Sequence, residues 1–182
     1  MKCSRPPVRP GTKPTHENKR MKETTVKVHR ETIDVQSEGL HPTFHDITEE
    51  VKRALANSGV KDGICVVYSH HTTCSVMVQE SSHDQTYFGL EFLQQDLCNI
   101  MEKLVPTCRH EGQYLHPGQR HIEFAYTVGD EPLLSLNTDA HLRSVFFGRS
   151  ETMVVVDGEL DLGQFGYVYF VDWDQVRARG RQ

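Results

Sequence analysis

The run Ile64-Cys65-Val66-Val67-Tyr68 constrains the fold more than any other stretch of the chain. Five apolar residues bounded by Asp62-Gly63 read as a buried strand. At its end His70, His71, Thr72, Thr73 and Cys74 follow in direct succession. A second short strand, Ser75 to Gln79, comes next and closes on two acids, Glu80 and Asp84. A rigid apolar strand that ends in such a polar cluster has the character of a site rather than of a simple turn.

The other elements are read by periodicity. Val26, Val28, Ile33 and Val35 alternate in a β-branched segment that predicts one strand or two. Asp46 to Asn57 carries Ile47, Val51 and Leu55 at a spacing of four and predicts an amphipathic helix closed by Ser58-Gly59. A longer helix is predicted from about Thr86 to Leu104, stopped by Pro106. Thr107 to Arg120 forms a polar loop, and Ile122, Phe124, Tyr126 and Val128 alternate as in a half-buried strand. Asn137 or Thr138 caps a short helix ending near Gly148, and three strands follow, at Thr152–Val156, around Leu160–Leu162 and at Tyr167–Asp172. Asp157-Gly158 is a strong hairpin signal between the first two. Many strands, about three helices and no β-α-β alternation predict one compact α+β domain with mixed or antiparallel, sandwich-like sheets.

Charge divides the chain. Residues 1–22 hold seven Lys/Arg against one acid and four prolines, which predicts a disordered basic leader before a domain at 23–182. The whole chain carries −5, so the remainder is strongly acidic and ill-suited to a nucleic-acid surface. No stretch has the length of apolar residues that a membrane span needs. Five cysteines without a Cys-x-x-Cys pair argue against a disulfide framework and for a reducing, cytoplasmic setting.

Eleven histidines are many for 182 residues, and seven lie between His70 and His141. Neutral imidazole is the commonest ligand of zinc and similar metals, and catalytic zinc sites use three protein ligands with one open position. His71, His116 and His141 sit where three distant segments can converge, so they are the candidate ligands of a divalent metal such as zinc or magnesium. No His-Glu-x-x-His motif is present, and surface or core histidines explain the same composition. Glu80 and Asp84 are candidate general bases or proton shuttles beside His71, with helix capping as the alternative for Asp84. Thr72, Thr73 and Ser75, with Arg143, are candidates to hold a phosphate or carboxylate, unless the hydroxyls merely bond the local backbone. Cys74 lies between hydroxyls on a strand and is read as packing.

The run His71-Thr72-Thr73-Cys74-Ser75-Val76-Met77-Val78-Gln79-Glu80 resembles the signature of the secondary thiamine-phosphate synthase (YjbQ-type) family. Three further blocks agree in order: Asp96-Leu97 with Leu104-Val105-Pro106, then Asn137-Thr138-Asp139-Ala140-His141-Leu142-Arg143, then Gly148-Arg149-Ser150-Glu151 leading to Asp157-Gly158-Glu159-Leu160-Asp161-Leu162-Gly163. The close Val171-Asp172-Trp173-Asp174 with Arg177-Ala178-Arg179 is similar too. The resemblance implies a compact α+β domain, assembly as a homotrimer, and a small phosphorylated molecule as ligand. It also implies an ability to form thiamine phosphate from a pyrimidine pyrophosphate and a thiazole phosphate. His71, Glu80, Asn137 and His141 match the family's motif positions, as does Asp84, and His116 is chosen over His110 and His121 for its Tyr-x-His-Pro-Gly context. Where the family continues Leu-Gly with Thr-Trp-Gln, this chain has Gln164-Phe165-Gly166, a change expected at a pocket wall or a subunit contact. The same residues suit two other readings: a non-catalytic trimer that binds a metal or anion, and a metal-assisted hydrolase of a small phosphate or lactone.

Overall fold

The computed structural model describes residues 26–182, so the basic leader lies outside the described residues. In chain order the elements are β1 (Val35–Gln36), β2 (Thr43–Asp46), α1 (Thr48–Ser58), β3 (Gly63–Tyr68), β4 (Cys74–Glu80), α2 (Phe92–Leu104), α3 (Gln119–Thr127), a 3-10 turn (Pro132–Ser135), α4 (Thr138–Phe147), β5 (Ser150–Val156), β6 (Glu159–Leu160), β7 (Gly166–Asp172) and β8 (Gly180–Arg181). The strands form two three-stranded sheets, ordered β2-β7-β4 and β3-β5-β6, and a small ladder of β1 with β8. Every pairing is antiparallel.

β7 is covered on both faces, and its alternation separates two cores. Val168 and Phe170 face Cys74, Val76, Met153 and the α1 residues Ile47 and Val51. Tyr169 and Val171 face Met77, Trp173, the α2 residue Met101 and the α4 residue Ala140. The β2-β7-β4 sheet is thus packed against α1 and the second sheet on one side, and against α2 and α4 on the other. This is the α+β, sandwich-like domain the pattern predicts.

Four local expectations need correction. The segment of Val26, Val28, Ile33 and Val35, expected as one strand or two, keeps only β1 at Val35–Gln36, and Val26 and Val28 are exposed. The α2 helix begins at Phe92, because Thr86 to Leu90 closes a tight loop: the Thr86 N–H donates to Leu90 O at 2.7 Å, with Gly89 at φ +82°. Glu91 and Gln94 then form a capping box. The segment His121–Val128 is helical, not a strand. Only Ala125 of α3 is buried, so its apolar alternation marks a surface helix with no sheet to pair with. β3 is not buried on both faces: Cys65 and Val67 pack inward, whereas Ile64, Val66 and Tyr68 are exposed. The Asp157-Gly158 turn does close the β5–β6 hairpin, with φ +54° and +87° as a type I′ turn requires.

Candidate functional site

The His/Thr loop is held in place from three directions. The Ser69 N–H donates to Arg149 O at 2.8 Å, the Trp173 N–H donates to Thr73 O at 3.0 Å, and the Cys74 N–H closes a turn on His71 O at 3.2 Å. Trp173 is wholly buried, so this end of β4 is fixed to the segment that follows β7. The loop forms one wall of an open cavity of about 340 Å³. The facing wall comes from α3 and the start of α4, with His121, Phe124, Val128, Asn137 and His141. A third wall is the C-terminal segment, which contributes Asp174, Arg177, Arg179 and Arg181.

Of the expected site residues, the cavity gathers His71, Thr72, Thr73, Asn137 and His141. His71 is wedged between two donors: Nδ1 lies 3.5 Å from an Arg181 guanidinium nitrogen, and Nε2 accepts the Gln182 N–H at 3.2 Å. The Thr73 hydroxyl accepts from Arg181 at 3.4 Å, and Asn137 Nδ2 donates to Asp174 at 3.5 Å. His121, rather than His116, is the loop histidine that faces the cavity. His116 stands behind it, with ring centroids 4.6 Å from His121 and 5.8 Å from His141. The Thr138 hydroxyl donates to His116 O at 2.6 Å, so the His116 Nδ1–H must donate to that hydroxyl oxygen at 2.9 Å. In its neutral form His116 therefore keeps its lone pair on Nε2. His110 is exposed and bonds the neighbouring Glu111 carbonyl.

Besides His116, four expected residues are not brought there. Glu80, exposed, is the last residue of β4, about 20 Å along the strand from the loop at ~3.3 Å per residue, and exposed Asp84 lies past it. Ser75 is buried; its hydroxyl accepts the Trp173 indole N–H at 2.9 Å and so packs the core. Arg143 is buried too, at 2 % exposure. It donates to Val105 O at 2.7 Å and to Glu102 at 2.8 Å, and lies 3.6 Å from Asp139, so it ties α4 to the end of α2. Cys74 is wholly buried, and burial raises its thiol far above the reactive range, consistent with packing.

Burial lowers the pKa of His71, with the Arg181 charge acting in the same direction. It lowers His116 and His141 as well, although a hydrogen bond to the Thr72 backbone works against it at His141. These imidazoles are thus neutral near pH 7, suited to accept protons and unsuited to neutralise an anion. They do not form a metal centre as arranged. Among the described residues, no three His, Cys, Asp or Glu side chains are grouped so as to hold an ion. His116 and His141 are neighbours, with ring centroids 5.8 Å apart, whereas His71 is engaged by Arg181 and the Gln182 N–H. Gln164 and Phe165 lie in the turn between β6 and β7, outside the cavity lining. Gly166 follows because a Cβ there would overlap the Leu162 carbonyl oxygen.

The residues that sequence reasoning missed are His70, His121, Asp174 and, above all, Arg177, Arg179 and Arg181. The signal was the alternation Arg-x-Arg-x-Arg at 177, 179 and 181. Basic residues at every second position of an extended segment share one face.

The sequence model of the family described as UPF0047 protein YjbQ-like matches residues 31–182. A UPF0047 protein of Archaeoglobus fulgidus is 31% identical over 134 residues, covering 74% of this chain and 83% of the relative. The UPF0047 protein YugU of Bacillus subtilis is 27% identical over 134 residues, 74% of this chain and 82% of the relative. Among solved structures, an uncharacterised conserved protein from Clostridium acetobutylicum superposes with a TM-score of 0.59 at 24% identity, over 83% of this chain and 97% of its own. A hypothetical protein from Aeropyrum pernix gives 0.59 at 25% identity, over 84% and 95%.

Proposed function

The chain belongs to the UPF0047 YjbQ-like family, and on that premise we propose that its cavity binds a small phosphorylated molecule. The supporting observation is the gathering of two threonine hydroxyls, four imidazoles and three guanidiniums around one open cavity. The resemblance to thiamine-phosphate synthases names a reaction for such a site. A thiazole phosphate nitrogen displaces diphosphate from a pyrimidine pyrophosphate, and the departing diphosphate carries charge that fixed cations must meet. His71, neutral and wedged at the loop, handles protons at the cavity wall, while Asn137 and Thr72 orient the ligand. The protein works in the cytoplasm as a homotrimer. The support for assembly is the apolar outer face of the β3-β5 pair, where Ile64, Val66, Tyr68, Val154 and Val156 stand exposed. An apolar sheet face of this kind needs a partner, and light scattering of the purified protein should give the mass of three chains.

One observation favours a second reading, a binding protein without catalysis: Glu80 and Asp84, the two candidate acids, lie away from the cavity. An assay with the pyrimidine pyrophosphate and thiazole phosphate separates the two. The synthase reading expects thiamine phosphate from the wild type, a fall of at least tenfold in His71→Ala, and little change in Asp84→Ala. Saturable binding of either substrate without product would sink the synthase reading and leave the binding protein.

A further inference from the structure

Arg177, Arg179 and Arg181 follow one another at every second residue, and their surroundings differ. Arg181 is committed within the protein. It is buried, and its guanidinium meets the wholly buried Asp172 at 2.6 and 3.1 Å, with Asp174 at 3.6 Å. Arg177 shares one nitrogen with Asp130 at 3.5 Å, but its Nε is buried with no hydrogen-bond partner. One terminal nitrogen of Arg179 is likewise buried without a partner, and Arg179 forms no ion pair among the described residues. Leaving a buried donor unmatched costs about 1–3 kcal/mol, more when the group is charged. Both side chains also line the same cavity.

The segment that carries them is firmly placed. Gly39, at φ +74°, lies against the Arg177–Ala178 peptide so closely that a Cβ would overlap it. The Ser37 N–H donates to Arg179 O at 2.9 Å, and the Ser37 hydroxyl accepts the Arg179 N–H at 3.2 Å. Unmatched guanidinium donors on a clamped segment are the arrangement expected of a preformed oxyanion seat.

We infer that Arg177 and Arg179 hold a phosphoryl oxyanion at the mouth of this cavity, and that these guanidiniums supply the neutralising charge without a metal ion. The inference rests on the reading that the cavity takes a phosphorylated molecule, and adds which residues grip it and how its charge is met. The planar guanidinium fork matches phosphate oxygens two at a time and stays charged at every working pH. Thr72, across the cavity, adds a hydroxyl donor. The nearby carboxylates do not block the seat: Asp174 is turned to Arg181 and Asn137, and half-exposed Asp130 occupies one Arg177 nitrogen only. A diphosphate engages both guanidiniums with more oxygens than orthophosphate offers.

Calorimetric titration of the full chain with inorganic pyrophosphate and orthophosphate, with and without EDTA, tests this. The wild type is expected to bind pyrophosphate more tightly than orthophosphate, with EDTA changing neither. Arg177→Gln and Arg179→Gln should each weaken pyrophosphate about ten- to a hundredfold, the loss expected for a hydrogen bond to a charged group, with unchanged melting temperature. Arg179→Lys should recover part of the loss. A wild-type protein that binds no pyrophosphate, binding that EDTA abolishes, or equal affinity in both Gln variants would overturn the inference. Should a variant not fold, phenylglyoxal labelling of the wild type serves instead: pyrophosphate must protect Arg177 and Arg179, and labelling indifferent to pyrophosphate contradicts the seat. Pyrophosphate held by these arginines without thiamine phosphate formation removes only the synthase reading. Undiminished synthesis and binding in Arg179→Gln removes only this inference.

Discussion

Arg143 donates to Val105 O and Glu102 and lies against Asp139, whereas Arg179 keeps a buried nitrogen with no partner at the cavity. The same side chain thus does different work, decided by what surrounds it. Truncating Arg143 removes the cation beside Asp139, which is only 3 % exposed and keeps the Cys108 N–H as donor, and leaves the Val105 carbonyl without its donor. Arg143→Ala should therefore destabilise the fold by about 3 kcal/mol, the lower range for breaking a buried pair. Urea unfolding measures that loss, and the folded fraction should keep its pyrophosphate affinity. A variant as stable as the wild type but deficient in binding would return Arg143 to the site. In sequence the two arginines could not be told apart. Arg143 stands inside a motif with Asn137 and His141, but the helical turn that brings His141 to the cavity points Arg143 toward α2.

At the scale of elements, the site depends on how the C-terminal segment is docked. Among the described residues β8 pairs only with β1, through Val35–Arg181 and Gln36–Gly180, so the ladder alone is short. Ser37 and the close approach of Gly39 supply the rest of the anchorage. Gly39→Ala must place a side chain at positive φ, a cost on the order of 1–2 kcal/mol, and must also displace the Arg177–Ala178 backbone. The expected result is earlier trypsin cleavage around Arg177 and Arg179 together with weakened pyrophosphate binding. Unaltered proteolysis and affinity would show that the segment is not clamped there. The elements themselves were legible where periodicity and burial coincide, as in α1, β5 and β7. They were misread where exposed apolar residues imitate a pattern. Around α3, Ile122, Phe124, Tyr126 and Val128 alternate as in a strand, but the cavity is lined by Phe124 and Val128, four residues apart on one helical face. In β3, Ile64, Val66 and Tyr68 look like core residues because an exposed apolar face has the same composition as a buried one.

For the molecule as a whole, the antiparallel α+β sandwich was readable from turn signals and alternation, and the family match over residues 31–182 agrees with it. The site was readable in part. His71, Thr72, Thr73, Asn137 and His141 follow from local motifs, because each sits where a regular element ends. The third wall was not readable, since it depends on a C-terminal segment returning beside β1, a contact spanning more than 140 residues of chain. Nor does sequence show that Glu80 and Asp84 are carried away by the full length of β4. What emerges is a cavity whose proton acceptors are neutral imidazoles and whose positive charge is arginine. A crystal structure of the protein grown with pyrophosphate tests that picture most directly. The account predicts a diphosphate within hydrogen-bond distance of the Arg177 and Arg179 guanidiniums, facing Thr72 and His141. A diphosphate bound elsewhere, or held in the cavity through a metal ion on the histidines, would contradict it.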